Sequence, residues 1–302
     1  MTLTRSWTVA VGSVLLLGTA STLFGDMGSI PFKPWVSVYE PNQRAIIAFN
    51  GHEQILILST DLRASEPTKV LEILPLPSEP QIKEGDIDVF RSATELINRK
   101  LFPNRNRGVG GAVGGPGGGG EPLPPAGEVT ETKRIGAHDI SVTHVLDSER
   151  FVEWAERFLE ENNADEVHIP EALKEVVEEY LDDGFEWFAF DVVDLGTETV
   201  TKDAILYRFE SRRLYYPLRI TRAETGETKV RLLVLTPDLV ELPRGPELSV
   251  RLVERPVDVT RRELEQLDPD LFDLLRTRTR TKLRIWETEG ELSSFQQDIW
   301  TR

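Results

Sequence analysis

The chain is 302 residues long with a formal net charge of −16 and an isoelectric point near 4.8, which excludes a partner held by phosphate neutralisation, since nucleic-acid binding needs Lys and Arg clustered on one face. It contains no cysteine, so disulfides, thiolate metal sites and cysteine nucleophiles are excluded as well. Hydrophobic residues at 39% and charged residues at 28% are the composition of a folded chain, long enough for two modest domains or one large one.

Arg5 is the only charge before Asp26, and between them Trp7, Val9, Val11, Val14 to Leu17, Leu23 and Phe24 form a compact apolar run. That layout is a signal peptide, 1–25, with small residues that fit cleavage after Ala20 or after Gly25. An uncleaved anchor is the alternative, because about eighteen apolar residues just span a bilayer. No second stretch of spanning length follows.

Two β-rich runs, Ala45 to Phe49 and Gln54 to Ser59, flank Asn50-Gly51, a hairpin signal because such turns need positive φ. A third strand is expected from Lys69 to Leu74, ending at Pro75-Leu76-Pro77. Val89, Phe90, Ala93, Leu96, Ile97 and Leu101 then recur at helical spacing, so a helix is expected over 88–101. Pro103 to Gly127 reads as a disordered linker, since its glycines carry nothing to bury. It is not a phosphate loop: no Lys-Ser or Lys-Thr follows the glycines.

Beyond the linker a strand is expected from Ile135 to Val145. Two helices follow, the first capped by Asp147-Ser148 with Phe151, Trp154, Ala155, Phe158 and Leu159 on one face, the second starting near Pro170 and stopped by Asp182-Asp183-Gly184. Together they form a helical hairpin. Phe185 to Leu195 is apolar on both faces, as in a central strand. Further strands are expected at Ala204 to Glu210, Leu214 to Thr221, Lys229 to Leu235, Glu247 to Glu254 and Lys282 to Trp286, with a capping box at Thr260 and Glu263. The expected fold class is α+β, with mainly antiparallel sheet packed against the helical hairpin and a disordered Gly/Pro-rich insertion. The chain divides into 26–103, β-rich; 104–134, linker; and 135–302, helical hairpin and antiparallel strands. The first piece is too small to stand alone, so both are expected to form one cooperative unit.

Three stretches resemble the exported proteins grouped as domain of unknown function 2330. They are Val36 to Gly51 with Leu74 to Ser78; the helical hairpin with Trp154, Val167-His168-Ile169-Pro170 and Gly184 to Phe188; and Leu214 to Ile220 with Leu232 to Pro237. The resemblance implies export and one fold spanning the glycine-rich insertion, but it assigns no activity and no catalytic residue. Many members of that group carry paired cysteines near the mature N-terminus, and 26–35 has none.

His52, His138, His144 and His168 are the natural metal or acid–base groups. His138 and His144, six apart on one strand, are the metal-site candidates, and solvated or capping histidines are the alternative. Asp191 and Asp194 interrupt a buried strand, where an unpaired carboxylate is costly. With Glu186 they are the candidate catalytic acids, since a glycosidase needs two carboxylates across the scissile bond. The alternative is that they mark the strand's emergence into solvent. Trp187, Tyr215 and Tyr216 are the candidate binding aromatics. No G-x-S-x-G elbow occurs in the mature sequence.

These features point to a secreted or cell-surface protein outside the cytoplasmic membrane, non-enzymatic, that binds or scaffolds a surface protein or glycan. The alternative is an exported hydrolase using paired carboxylates, with a divalent cation as a possible helper. No motif implies a cofactor. Nucleic acid is not expected as a partner, and the membrane only through an uncleaved N-terminal segment.

Overall fold

The computed structural model describes residues 27–103, 128–135, 138–162, 164, 168–224, 226–245, 248–276 and 280–301. The apolar N-terminal run and the glycine-rich stretch read as a linker lie outside the described residues.

In chain order the elements are β1 (Gly28–Pro31), β2 (Val38–Phe49), β3 (Glu53–Ala64), β4 (Thr68–Leu76), β5 (Gln81–Gly85), α1 (Asp88–Leu101), β6 (Glu128–Ile135), β7 (His138–His144), α2 (Ser148–Glu161) and α3 (Glu171–Asp182). There follow β8 (Trp187–Leu195), β9 (Val200–Thr201), β10 (Ala204–Glu210), β11 (Leu214–Tyr216), β12 (Glu227–Thr236), β13 (Arg251–Leu252), β14 (Val257–Thr260), α4 (Arg261–Leu267), α5 (Pro269–Leu275), β15 (Arg280–Glu291) and β16 (Ile299–Thr301). The fold is α+β with mostly antiparallel sheets. No helix among the described residues is long and apolar enough to cross a membrane.

Three local signals act as the sequence implies. Asn50 Oδ1 accepts from the backbone N–H groups of His52 and Glu53, and Gly51 takes φ 105°, which closes the β2–β3 hairpin. Asp147 accepts from Arg150 N and starts α2. At the end of α3, Gly184 at φ 84° lets its own N–H reach Leu181 O and that of Phe185 reach Tyr180 O, a Schellman closure.

Two sheets stack. The first runs β1-β4-β8-β7-β6, and the second runs β13-β15-β12-β2-β3-β10-β5 with β14 on β15 and β9 on β3. Alternation along β8 decides what each face meets. Phe188 and Phe190 point outward under α2, with the Trp154 and Phe190 rings 4.3 Å apart, while Ala189 and Asp191 point toward the second sheet. The far face of the second sheet, through Ile46, Ala48, Ile55 and Ile57, is covered by α1, α4 and α5. The order is therefore helices, sheet, sheet, helices. Each sheet draws strands from both sides of the glycine-rich stretch, and β12 lies parallel to β2 with Leu233 beside Ile46.

Several expected strands are placed differently. The single strand expected at 135–145 is a hairpin, β6 and β7, whose first strand begins at Glu128. Leu214 to Thr221 is a strand only to Tyr216. Pro217 has no N–H to continue a ladder, and Arg219–Ala223 forms a 3-10 turn. Within the expected strand Glu247 to Glu254, the described residues contribute the two of β13 and a bridge from Ser249 to Arg244. A further pair, β11 with β16, lies apart from both main sheets.

Candidate functional site

Two sequence candidates meet between the sheets. His138 of β7 and Asp191 of β8 are both buried, and Nδ1 of the imidazole bonds Asp191 Oδ2. Burial alone would strip the imidazole of its proton; attraction to Asp191, the hydrogen bond to it and the charge of Glu72 outweigh burial and Lys202, and hold His138 above its ordinary 6.5. His138, Asp191, Glu72, Lys202 and Ser59 border a cavity of about 20 Å³, the room of a single water. Ser59 lies on the face of β3 that carries Ile55 and Ile57, so its hydroxyl completes no nucleophile relay with His138 and Asp191, and nothing larger than a water fits. The cluster is a polar clamp between the sheets.

The remaining candidates do not converge. Asp194 is exposed, and its carbonyl accepts from Lys202 Nζ at 2.9 Å. Glu186 is exposed and sits 3.0 Å from His144 Nε2. Asp191 faces the opposite side of the strand from Asp194, and Glu186 lies about 16 Å along the strand from Asp191 at ~3.3 Å per residue, so the three acids form no pair across a substrate bond. The metal reading of His138 and His144 is corrected in the same way: six residues of strand put them about 20 Å apart. Among the described residues no group of three or more His, Asp or Glu side chains is arranged to hold a metal ion.

The aromatic candidates separate too. Trp187 is half-buried, with His144 stacked on it at 4.6 Å and 14°. Tyr215 and Tyr216 are both fully buried, their hydroxyls donating to Pro75 O and Gln43 Oε1. Because elements cover both sides of β11, neither ring reaches the surface, which corrects their reading as a binding pair.

A large concavity lies where β11 meets β16. A cleft of about 1060 Å³ runs between the Asn50–Glu53 turn, the Pro77–Ser78 corner, the turn after α3 and the Glu210–Arg213 segment, with Trp300 in its wall. Hollows of about 630 and 310 Å³ continue past Trp300 beneath Glu241 to Arg244, and all three share Arg213 and Trp300. The register explains this centre. Tyr215 pairs with Trp300, so their side chains share a face with rings 4.4 Å apart, and Arg213, two residues before Tyr215, lays its guanidinium over Trp300 at 4.5 Å.

Beneath the cleft the chain is locked. Asp298 Oδ1 accepts from Tyr180 Oη at 2.6 Å, Leu218 N at 2.9 Å and Arg219 N at 2.8 Å, tying α3 and the 3-10 turn to the C-terminal strand. Burial raises the Asp298 carboxyl above its ordinary value, against these donors and Arg219. Arg219 lies over the Tyr180 ring and pairs with Asp183 at 2.7 Å. Its burial favours loss of the proton, but Asp298 and Tyr180 outweigh this and hold the guanidinium above its ordinary value.

Sequence reading missed Trp300, Arg213 and Arg244. The available signals were a polar-flanked aromatic at the chain end and the doublet Arg212-Arg213 in an acidic chain; neither says that the two segments pair.

A family model described as an uncharacterized protein conserved in bacteria, domain of unknown function 2330, matches residues 32–274. No curated protein matches the sequence significantly. Among solved structures, baculovirus P35 is similar at 8% identity and a TM-score of 0.45, covering 88% of this chain and 96% of that one. A mutated baculovirus P35 after caspase cleavage is similar at 8% identity and 0.40, covering 86% and 99%.

Proposed function

The chain belongs to this family of uncharacterized bacterial proteins, and we propose that it is an exported, non-enzymatic binding protein whose ligand seats in the cleft around Trp300. The observation that carries the reading is the cleft itself: three hollows that share Arg213 and Trp300, on a floor fixed by Asp298. Recognition sites are concave and orient the ligand with a few placed polar groups, and this concavity sets an aromatic and a cation side by side. Export is supported by the charge and apolar pattern of 1–25.

Three of the cleft's carboxylates are already engaged, which favours binding over hydrolysis. Glu53 is held by Arg208 at 2.7 Å and Asp183 by Arg219 at 2.7 Å. Asp298 is raised, as a general acid requires, but its Oδ1 is committed to three donors.

The test is a thermal-shift screen of the full mature chain against soluble glycans and peptides, run beside chromogenic ester and glycoside substrates. A ligand present at 100 times its Kd adds about 2.7 kcal/mol, which is read as a rise in melting temperature. The rise is expected in the parent chain and not in Trp300→Ala; because Trp300 packs on Tyr215, exposed Arg213→Ala serves as a second variant. Turnover of any substrate, lost in the same variants, would establish the hydrolase instead. N-terminal sequencing of the exported chain checks the leader, and recovery of Met1 in membranes would show an anchor.

A further inference from the structure

Resting on the reading of the cleft as a binding site, the further question is what chemistry it selects. The chain has 51 acidic residues against 35 Lys and Arg, so a group of arginines in one set of cleft walls with no carboxylate partner is a local reversal of the chain's overall charge. Neighbouring arginines are paired: Arg208 with Glu53, Arg219 with Asp183, Arg222 with Glu179. Among the described residues no carboxylate pairs with Arg212, Arg213 or Arg244, and all three are exposed in the cleft walls.

Trp300 narrows the class. A neutral sugar is held mainly by stacking on an open ring, but here the Arg213 guanidinium lies over the indole at 4.5 Å. Stacking fixes the guanidinium plane and leaves its N–H edge free, the geometry that reads a carboxylate through two parallel hydrogen bonds. Two carboxylates in the same walls, Glu210 and Glu241, are exposed and have no ion-pair partner among the described residues. They accept hydrogen bonds from a sugar's hydroxyls, donors that the side chains of a polyacidic peptide lack. The hollows meeting at Arg213 exceed the ~300–1,000 Å³ of a small-molecule pocket, and a chain of sugars fits that extent.

We propose that the cleft binds an acidic polysaccharide, with Arg213 and Arg244 reading its carboxylates and Glu210 and Glu241 accepting its hydroxyls. The probes are polygalacturonate, alginate and hyaluronan, with cellohexaose as the neutral comparison and poly-L-glutamate as the acidic peptide. They are titrated calorimetrically into the full mature chain at low salt and again as sodium chloride rises. At least one acidic glycan binds, the affinity falls with salt, and Arg213→Ala and Arg244→Ala each weaken it by about tenfold or more. Both side chains are exposed, and an unchanged circular dichroism spectrum confirms the fold.

Equal, salt-insensitive binding of cellohexaose overturns the acidic class while leaving the cleft as a binding site. Tighter binding of poly-L-glutamate overturns it in favour of a peptide ligand. Failure of all three acidic glycans also overturns it, and the thermal-shift screen then decides separately whether the cleft binds anything. Acidic-glycan binding that survives both arginine variants places the contact elsewhere, and the inference falls with it.

Discussion

Asp191, with the charge of Glu72 behind it, holds the proton on buried His138, and that dependence has a sign. The unfolded chain holds the same proton at about 6.5, and the folded value lies above it. The clamp therefore contributes in full below pH 6.5 and is lost as the pH rises through the folded value. The melting temperature is expected to fall from pH 6 into the alkaline range, and His138→Gln should flatten that slope; an unchanged slope would show that the imidazole is not the titrating group. Asp191→Asn removes one partner of a buried pair and should cost about 3–5 kcal/mol in urea unfolding. Arg284 is the opposite case. It is buried on β15, brought down to about 10 by burial alone, and its Nε and Nη1 have no partner. Its one bond is from Nη2 to Thr236 Oγ1. A buried charge without a counter-ion is better replaced by a hydrocarbon of its size, so Arg284→Met should leave stability unchanged or raise it by about 1–4 kcal/mol. A loss of several kcal/mol would mean that an anion neutralises it in solution.

Among the elements, α4 starts with a reciprocal cap: Thr260 Oγ1 accepts from Glu263 N, and the Glu263 carboxylate accepts from Thr260 N at 2.8 Å. Thr260→Ala is expected to cost about 1 kcal/mol and Thr260→Gly only a few tenths, measured as the shift in urea midpoint. That cap, the helix over 88–101 and the hairpin turn at Asn50-Gly51 were legible in the sequence because each is decided within a few residues. Phe185 to Leu195 was legible as a central strand from its two apolar faces. What stayed hidden is pairing over distance. Alternation says which face of a strand is buried and not which strand lies beside it, so the parallel partnership of β2 with β12 left no local trace. Tyr215-Tyr216 reads as one ring in and one ring out until β11 is seen to be covered on both sides. His138 and Asp191 were singled out separately, one as a metal ligand and one as a catalytic acid. Their union, 53 positions apart, exists only once β7 lies against β8. Trp300 and Arg213 were missed for the same reason, since they meet through a three-residue ladder.

At the scale of the whole molecule, residues on either side of the glycine-rich stretch interleave in both sheets. Strand β4 has β8 as its long partner, and β3 has β10 on the side away from β2. A fragment of residues 27–103 would keep the β2–β3 hairpin and lose those ladders, leaving apolar strands with uncovered faces. Calorimetry of the full chain should show one transition, and the fragment should lack a dispersed amide spectrum; independent melting of the fragment would establish two domains. The parallel ladder also bears on time. Gln43 and Thr228, which bond across it, are 185 residues apart, so β2 cannot settle against β12 until three-quarters of the chain has been made. Long-range closure of this kind is slow. A chain that finishes its sheet so late stays pliable while it is being synthesised, which is the state that the proposed export through a narrow membrane pore requires.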